Sequence, residues 1–181
     1  MGRKPASYED LEALPPHVVG EIIAGELYVS PRPASLHAWA CSRLAMQLAP
    51  LGLGAQEPEG WVILFEPELH FGQDVLVPDL AGWRYERMPV FPRTAAFTLA
   101  PDWVCEVRSP STATLDRKGK PPVYARAGVN QLWMLDPEER TLEVLQVGGE
   151  HYEPVGTYRG NVRVRATPFD AIELDLALLW A

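Results

Sequence analysis

Two stretches of this chain read as interior strands, yet each carries a carboxylate, and that combination narrows the folds open to it. VLVPDLAGW, residues 75–83, has strand formers at Val75, Val77, Leu80 and Ala81, interrupted by Pro78 and Asp79. DWVCEVRSP, residues 102–110, is apolar at Trp103, Val104, Cys105 and Val107 around Glu106. Burying an unpaired carboxylate is costly, and proline inside a strand removes a ladder hydrogen bond. Two such acids close together resist ionising unless a cation neutralises them. Carboxylate oxygens completed by waters or phosphate oxygens describe a site for Mg²⁺, with Mn²⁺ as the alternative. The other reading is that each acid caps a loop or pairs with an arginine.

The pattern around these strands gives the architecture. Ser7 caps a short helix over Tyr8 to Leu14, with Asp10 at its third position and Pro15-Pro16 as the stop. EIIAGELYVS (21–30) reads as a hairpin turning at Ala24-Gly25. Ser35 opens a helix whose broad apolar face carries Leu36, Trp39, Ala40, Leu44, Met46 and Leu48. WVILFEPELHF (61–71) and VLVPDLAGW are two strands around Gly72-Gln73-Asp74, and a proline-rich loop runs from Glu86 to Pro101. DWVCEVRSP is a third strand, a helix follows to about Ala127 with Gly128 beyond it, and QLWMLDP is a fourth strand. From Ser35 to Asp136 the order is αβββαβ, an α/β (α+β) core with a central mixed sheet flanked by helices. An N-terminal hairpin precedes it. TLEVLQV, EHYEPVGTY and NVRVRA follow as a β-meander, and LDLALLWA closes as a short helix.

The chain's 181 residues, 47% hydrophobic and 22% charged, fit one globular domain over 1–181 with its core at about 35–136. A net charge of −8 weighs against broad polyanion binding without excluding a local basic surface. No stretch is apolar enough for a membrane span, and the N-terminus lacks a signal core, so a cytoplasmic location is expected. Cys41 and Cys105 lack C-x-x-C spacing and read as reduced, small hydrophobes.

Pro78-Asp79, then Glu106-x-x-Ser109-Pro110-Ser111-Thr112, then DRKGKPPVYARAGVNQLWMLDP resembles the Uma2 family of restriction-endonuclease-like proteins, within the PD-(D/E)XK nuclease superfamily. The resemblance begins near GEIIAGELYVSPRP and extends to LDLALLW. It implies a metal-dependent endonuclease acting on DNA, with Asp79, Glu106 and the carbonyl of Val107 as metal ligands. The usual superfamily lysine would stand at Arg108, which stays protonated and cannot act as a base. In Uma2 proteins the lysine lies on the following helix, where Lys120 stands, preferred here over Lys118. Pro121 and Pro122 suit a first helical turn. Lys120 is therefore expected at a helix N-terminus, where the dipole would lower its pKa. The family pattern adds Glu21 and His37 as catalytic candidates.

Asp116 is expected to orient the turn or the lysine, and Ser109, Ser111 and Thr112 to shape the turn. Nucleic-acid contacts are sought at Arg108, Ser111, Tyr124, Arg163 and Arg165. The last two alternate with Val162 and Val164, so strand periodicity puts both on one face. Tyr124 is equally well read as core. Cutting both strands of a duplex makes a homodimer reasonable. Two rival readings stay open: a non-catalytic protein on a nuclease-like scaffold that binds a partner or nucleic acid, and a nuclease acting on RNA or junction DNA.

Overall fold

A computed structural model describes residues 4–32, 34–53 and 60–181; Pro33, in the segment that opens the family resemblance, lies outside them. Helix α1 (Tyr8–Glu12) leads into the hairpin β1 (Val18–Ile23) and β2 (Glu26–Pro31), then the long helix α2 (Ser35–Leu53). The Asp10 carboxylate accepts a hydrogen bond from the Ser7 N–H (2.8 Å), as the capping pattern requires, and a further one from the Ser7 hydroxyl (3.0 Å). The helix ends two residues earlier than expected.

The two stretches expected as single strands each break in two. They give β3 (Trp61–Phe65) and β4 (Leu69–Phe71), then β5 (Asp74–Leu76) and β6 (Leu80–Arg84). β3 pairs with β6 and β4 pairs with β5, so together they make one long ribbon, with Gly72 at a φ of 69° in its turn. The ribbon is creased at one level. Glu66 takes a φ of 43°, Pro67 and Pro78 cannot donate to a ladder, and the Glu66 N–H reaches back to the Asp79 carbonyl at 3.1 Å. Below the crease the ribbon joins a large sheet. Above it, β5 pairs with β1 through Ile22 and Val75, making a four-stranded sheet ordered β2-β1-β5-β4.

Residues after β6 form a 3₁₀ turn at Tyr85–Arg87 and a loop that buries Met88 and Phe97. The chain continues through β7 (Trp103–Val107), α3 (Lys120–Ala127), β8 (Gln131–Asp136), β9 (Thr141–Gly148) and β10 (His151–Arg159). The large sheet is ordered β10-β9-β8-β7-β6-β3, parallel between β7 and β8 and antiparallel elsewhere. This is the expected mixed sheet. The third meander strand does not join it: β11 (Arg163–Val164) turns away and pairs with β12 (Leu174–Asp175). A 3₁₀ turn, Leu176–Leu179, closes the chain where the short helix was expected.

The helix before β8 differs from expectation in an informative way. Helical backbone starts at Ala113, not beside the prolines, and Leu115–Gly119 form a wide π turn ahead of α3. Pro121 and Pro122 thus sit inside a helical run. A proline ring clashes with the carbonyl four residues back and leaves it without a donor, and a widened turn accommodates both problems. Gly128, at a φ of 87°, ends α3 in the left-handed conformation.

β7 is buried on both faces, which is why it reads as an apolar run. Trp103, Cys105 and Val107 pack toward α2 and the C-terminal segment. Val104 packs on the other side with Val123 and Tyr124 of α3. By strand alternation Glu106 shares the face of Val104, and so meets α3.

Candidate active site

The crease, the first turn of α2, the end of β7 and the π turn converge on one small cavity. It is lined by Glu21, His37, Asp79, Glu106, Asp116 and Lys120 among others, and its volume of about 40 Å³ suits a small ion or a water. Asp79 lies there because the chain leaves the small sheet after Leu76, crosses Val77 and Pro78, and enters the large one at Leu80. Its Oδ2 accepts the Val107 N–H at 2.6 Å, and its Oδ1 lies 2.8 Å from His37 Nε2. Glu21, delivered by β1, accepts the Val77 N–H at 2.8 Å, tying the small sheet to the crease.

Lys120 occupies the centre. Its ammonium is hydrogen-bonded to Glu106 Oε2 at 3.1 Å and makes ion-pair contacts with Glu21 (3.1 Å) and Asp116 (3.0 Å). Asp116 Oδ1 lies within that distance but off the direction of a hydrogen bond, so this buried oxygen keeps unfilled lone pairs. The Tyr124 hydroxyl donates to Glu106 Oε1 at 2.5 Å. Glu21, Glu106, Asp116 and Lys120 are each no more than 3% exposed.

Four carboxylates therefore face one ammonium and one imidazole in a place nearly closed to water. Burial holds Glu106 well above the usual carboxylate range; the lysine opposes this, and the charges of Asp116, Asp79 and Glu21 reinforce it. Glu21 is raised for the same first reason. For Lys120 the sequence expectation is overturned. Burial pulls its pKa down, but Glu106, Glu21 and Asp116 outweigh it and leave the ammonium above its ordinary value. The helix-dipole argument fails because Lys120, although the first residue of α3, continues a helical run that begins at Ala113 and passes through the π turn, so no free helix N-terminus lies beside it. For His37, burial opposes the charge and the Asp79 bond outweighs it, so its pKa rises; Nδ1 finds no partner among the described residues.

Asp79, Glu106, Lys120, Glu21 and His37, the five catalytic candidates, thus line one cavity, and Val107 abuts it through Asp79. The nucleic-acid candidates do not gather there. Arg108 projects from the end of β7 to pair with Asp136. Ser111 is exposed and bonds Ser109, which also bonds Thr112, so these hydroxyls shape the turn. Tyr124 is fully buried, and its place is beneath Glu106 instead of against a bound strand. Arg163 contacts Glu173 (3.5 Å) and Asp175 (3.7 Å). Arg165 donates to the carbonyls of Asp170 and Ala171. Neither arginine lines the cavity.

Sequence reasoning missed two residues. Glu66 lines the cavity because the crease turns its backbone into it. Cys41, read as a plain hydrophobe, lies one helical turn after His37, and its sulfur is within 4.8 Å of donor atoms of His37 and Asp79. The H-x-x-x-C spacing on α2 was the available signal.

With this geometry in view, the comparisons are specific. The sequence pattern of the Uma2 family, described as "Putative restriction endonuclease", matches residues 5–178. A crystal structure described as a putative nuclease belonging to DUF820 from Anabaena variabilis superposes with a TM-score of 0.78 at 21% identity, over 97% of this chain and 98% of that one. That likeness establishes the fold alone. No curated protein matches the chain.

Proposed function

The chain belongs to the Uma2 family of restriction-endonuclease-like proteins, and on that premise we propose that it is a metal-dependent endonuclease hydrolysing phosphodiester bonds in DNA. One observation carries the reading: three buried carboxylates, Glu21, Glu106 and Asp116, converge on a single lysine, and a fourth, Asp79, lines the same cavity. That excess of negative charge fits a hard divalent cation, Mg²⁺ or Mn²⁺. Asp79, Glu106 and the carbonyl of Val107 would hold it, with Glu21 close by. A bound ion of this kind supplies an acidified water and neutralises charge on the phosphate.

The chain's own groups do the rest. Lys120 directs its ammonium at the attacking water or at the phosphate oxygen that gains charge. Asp116 and Tyr124 fix the positions of Lys120 and Glu106. His37 holds one oxygen of Asp79 and leaves the other to the Val107 N–H. Two copies would serve the two strands of a duplex.

The decisive experiment incubates the purified chain with supercoiled DNA, linear DNA and RNA, with Mg²⁺ or Mn²⁺, beside Asp79→Ala, Glu106→Gln and Lys120→Ala. Each variant should lose at least about a hundredfold in rate while keeping the wild-type circular dichroism. Absence of cleavage of any nucleic acid, or equal cleavage by folded variants, would remove the proposal. Arg108, standing where most superfamily members carry lysine, favours the rival of a non-catalytic binding module. Calorimetry with Mg²⁺ separates the two, since a module with no metal requirement gives no heat that depends on Asp79.

A further inference from the structure

On the α2 side of Asp79 lies a second, larger cavity of about 410 Å³, lined by Arg32, His37, Cys41, Glu66 and Asp79 among others. We propose that His37, Cys41 and Asp79 form a site for a borderline-soft divalent ion of the zinc class, distinct in chemistry from the carboxylate site with which it shares Asp79.

Three donors of different kinds meet there. One ligand atom from each residue lies within 4.8 Å of the others, and His37 Nε2 is already 2.8 Å from Asp79 Oδ1. A tetrahedral ion with bonds of about 2.0–2.3 Å holds its donors roughly 3.3–3.7 Å apart. Closing the set therefore needs side-chain shifts of about an ångström. His37 and Cys41 are four residues apart on α2, a spacing that puts both side chains on one face. Both are at least nine-tenths buried, so neither donor has to be withdrawn from bulk water.

The donor set decides the ion. A thiolate sulfur and an imidazole nitrogen suit Zn²⁺, Co²⁺ or a similar metal, and the sulfur disfavours Mg²⁺ and Ca²⁺. The fourth position falls to a water. Glu66, held by Arg32 at 3.1 Å, lines the same cavity and can bond that water. On binding, the proton between His37 Nε2 and Asp79 Oδ1 and the Cys41 thiol proton both pass to solvent as the N–metal and S–metal bonds form, leaving His37 a neutral imidazole protonated at Nδ1. Cys105, fully buried on β7 and outside this set, is the internal control.

The test uses the full chain, stripped of metal and titrated with Co²⁺. A bound thiolate gives a near-ultraviolet sulfur-to-cobalt charge-transfer band, and tetrahedral coordination gives intense visible d–d bands. The wild type and Cys105→Ser should both show the bands at one ion per chain, with Zn²⁺ displacing Co²⁺. Cys41→Ser should lose the near-ultraviolet band and weaken Zn²⁺ binding by about tenfold or more. Glu106→Gln, which disables the proposed nuclease, should keep the band. Failure of the wild type to give the band overturns the site outright, even if the variants do not fold, and so does a band that survives Cys41→Ser. Nuclease activity does not enter these readings, so the site can fail while the nuclease proposal stands, or the reverse.

Discussion

Tyr124 and Asp136 show how single polar atoms are held in opposite environments. The Tyr124 hydroxyl is one of two donors to Glu106, at 2.5 Å, and both residues are almost fully buried. Tyr124→Phe leaves the ring packed and the Glu106 oxygen without its partner, a loss of about 1–3 kcal/mol. Urea unfolding at unchanged m-value should register it as a lower midpoint. Asp136 lies nearer the surface. Burial works against its charge, but the N–H groups of Glu139 and Glu138 and the Arg108 guanidinium hold its carboxyl below the usual value of 3.8. A depressed folded pKa gives stability that is present above the unfolded pKa and lost as pH falls through the folded one. Wild type should therefore weaken between about pH 5 and pH 3 more steeply than Asp136→Asn. Parallel pH-midpoint curves for the two would show that the turn does not use this charge.

At the scale of elements, the turns and the helix carry the lesson. In the β1–β2 turn Ala24 takes a φ of 51° ahead of Gly25 at 78°, the pair of positive angles that a two-residue type I′ turn needs. Ala24 is exposed, and its N–H is bonded to Asp74 at 2.7 Å. Left-handed backbone costs alanine about 1–2 kcal/mol, and asparagine tolerates it better. Ala24→Asn should raise stability by about 0.5–1 kcal/mol with the Asp74 bond intact, and an unchanged melting temperature would refute it. This turn, the α2 start at Ser35 and the αβββαβ order were all legible, since each rests on local residue chemistry or on long apolar runs. The crease was half legible. Pro78 signalled a break, but the matching break at Glu66 depends on pairing across the ribbon, which no local pattern reveals. Pro121 and Pro122 misled, because proline marks a helix start unless a π turn absorbs it. The roles of Tyr124 and Cys41 were hidden for a related reason: an apolar helical face reads the same whether or not a carboxylate lies opposite.

For the whole molecule, the two faces of the large sheet are unequal in what holds them. The α3 face is built largely by elements of the core itself. The α2 face is completed by the C-terminal segment, which supplies Val164, Ala166, Phe169, Leu174, Leu176, Leu179 and Trp180. Phe169 is the keystone, with edge-on contacts to Trp61 (4.8 Å), Trp103 (4.9 Å) and Trp133 (5.4 Å). Gln47 of α2 adds two hydrogen bonds to the backbone of Asp175, so the same segment also fixes the helix that carries His37 and Cys41. Phe169→Ala leaves a hole among three rigid indole rings that cannot collapse into it, and should cost about 3–5 kcal/mol. Because α2 is clamped by that segment, the variant should also show faster amide exchange along α2 than along β7. A loss below about 1 kcal/mol would mean that the indoles do close over the gap. Uniform exchange along both elements would mean that the C-terminal segment does not anchor the site.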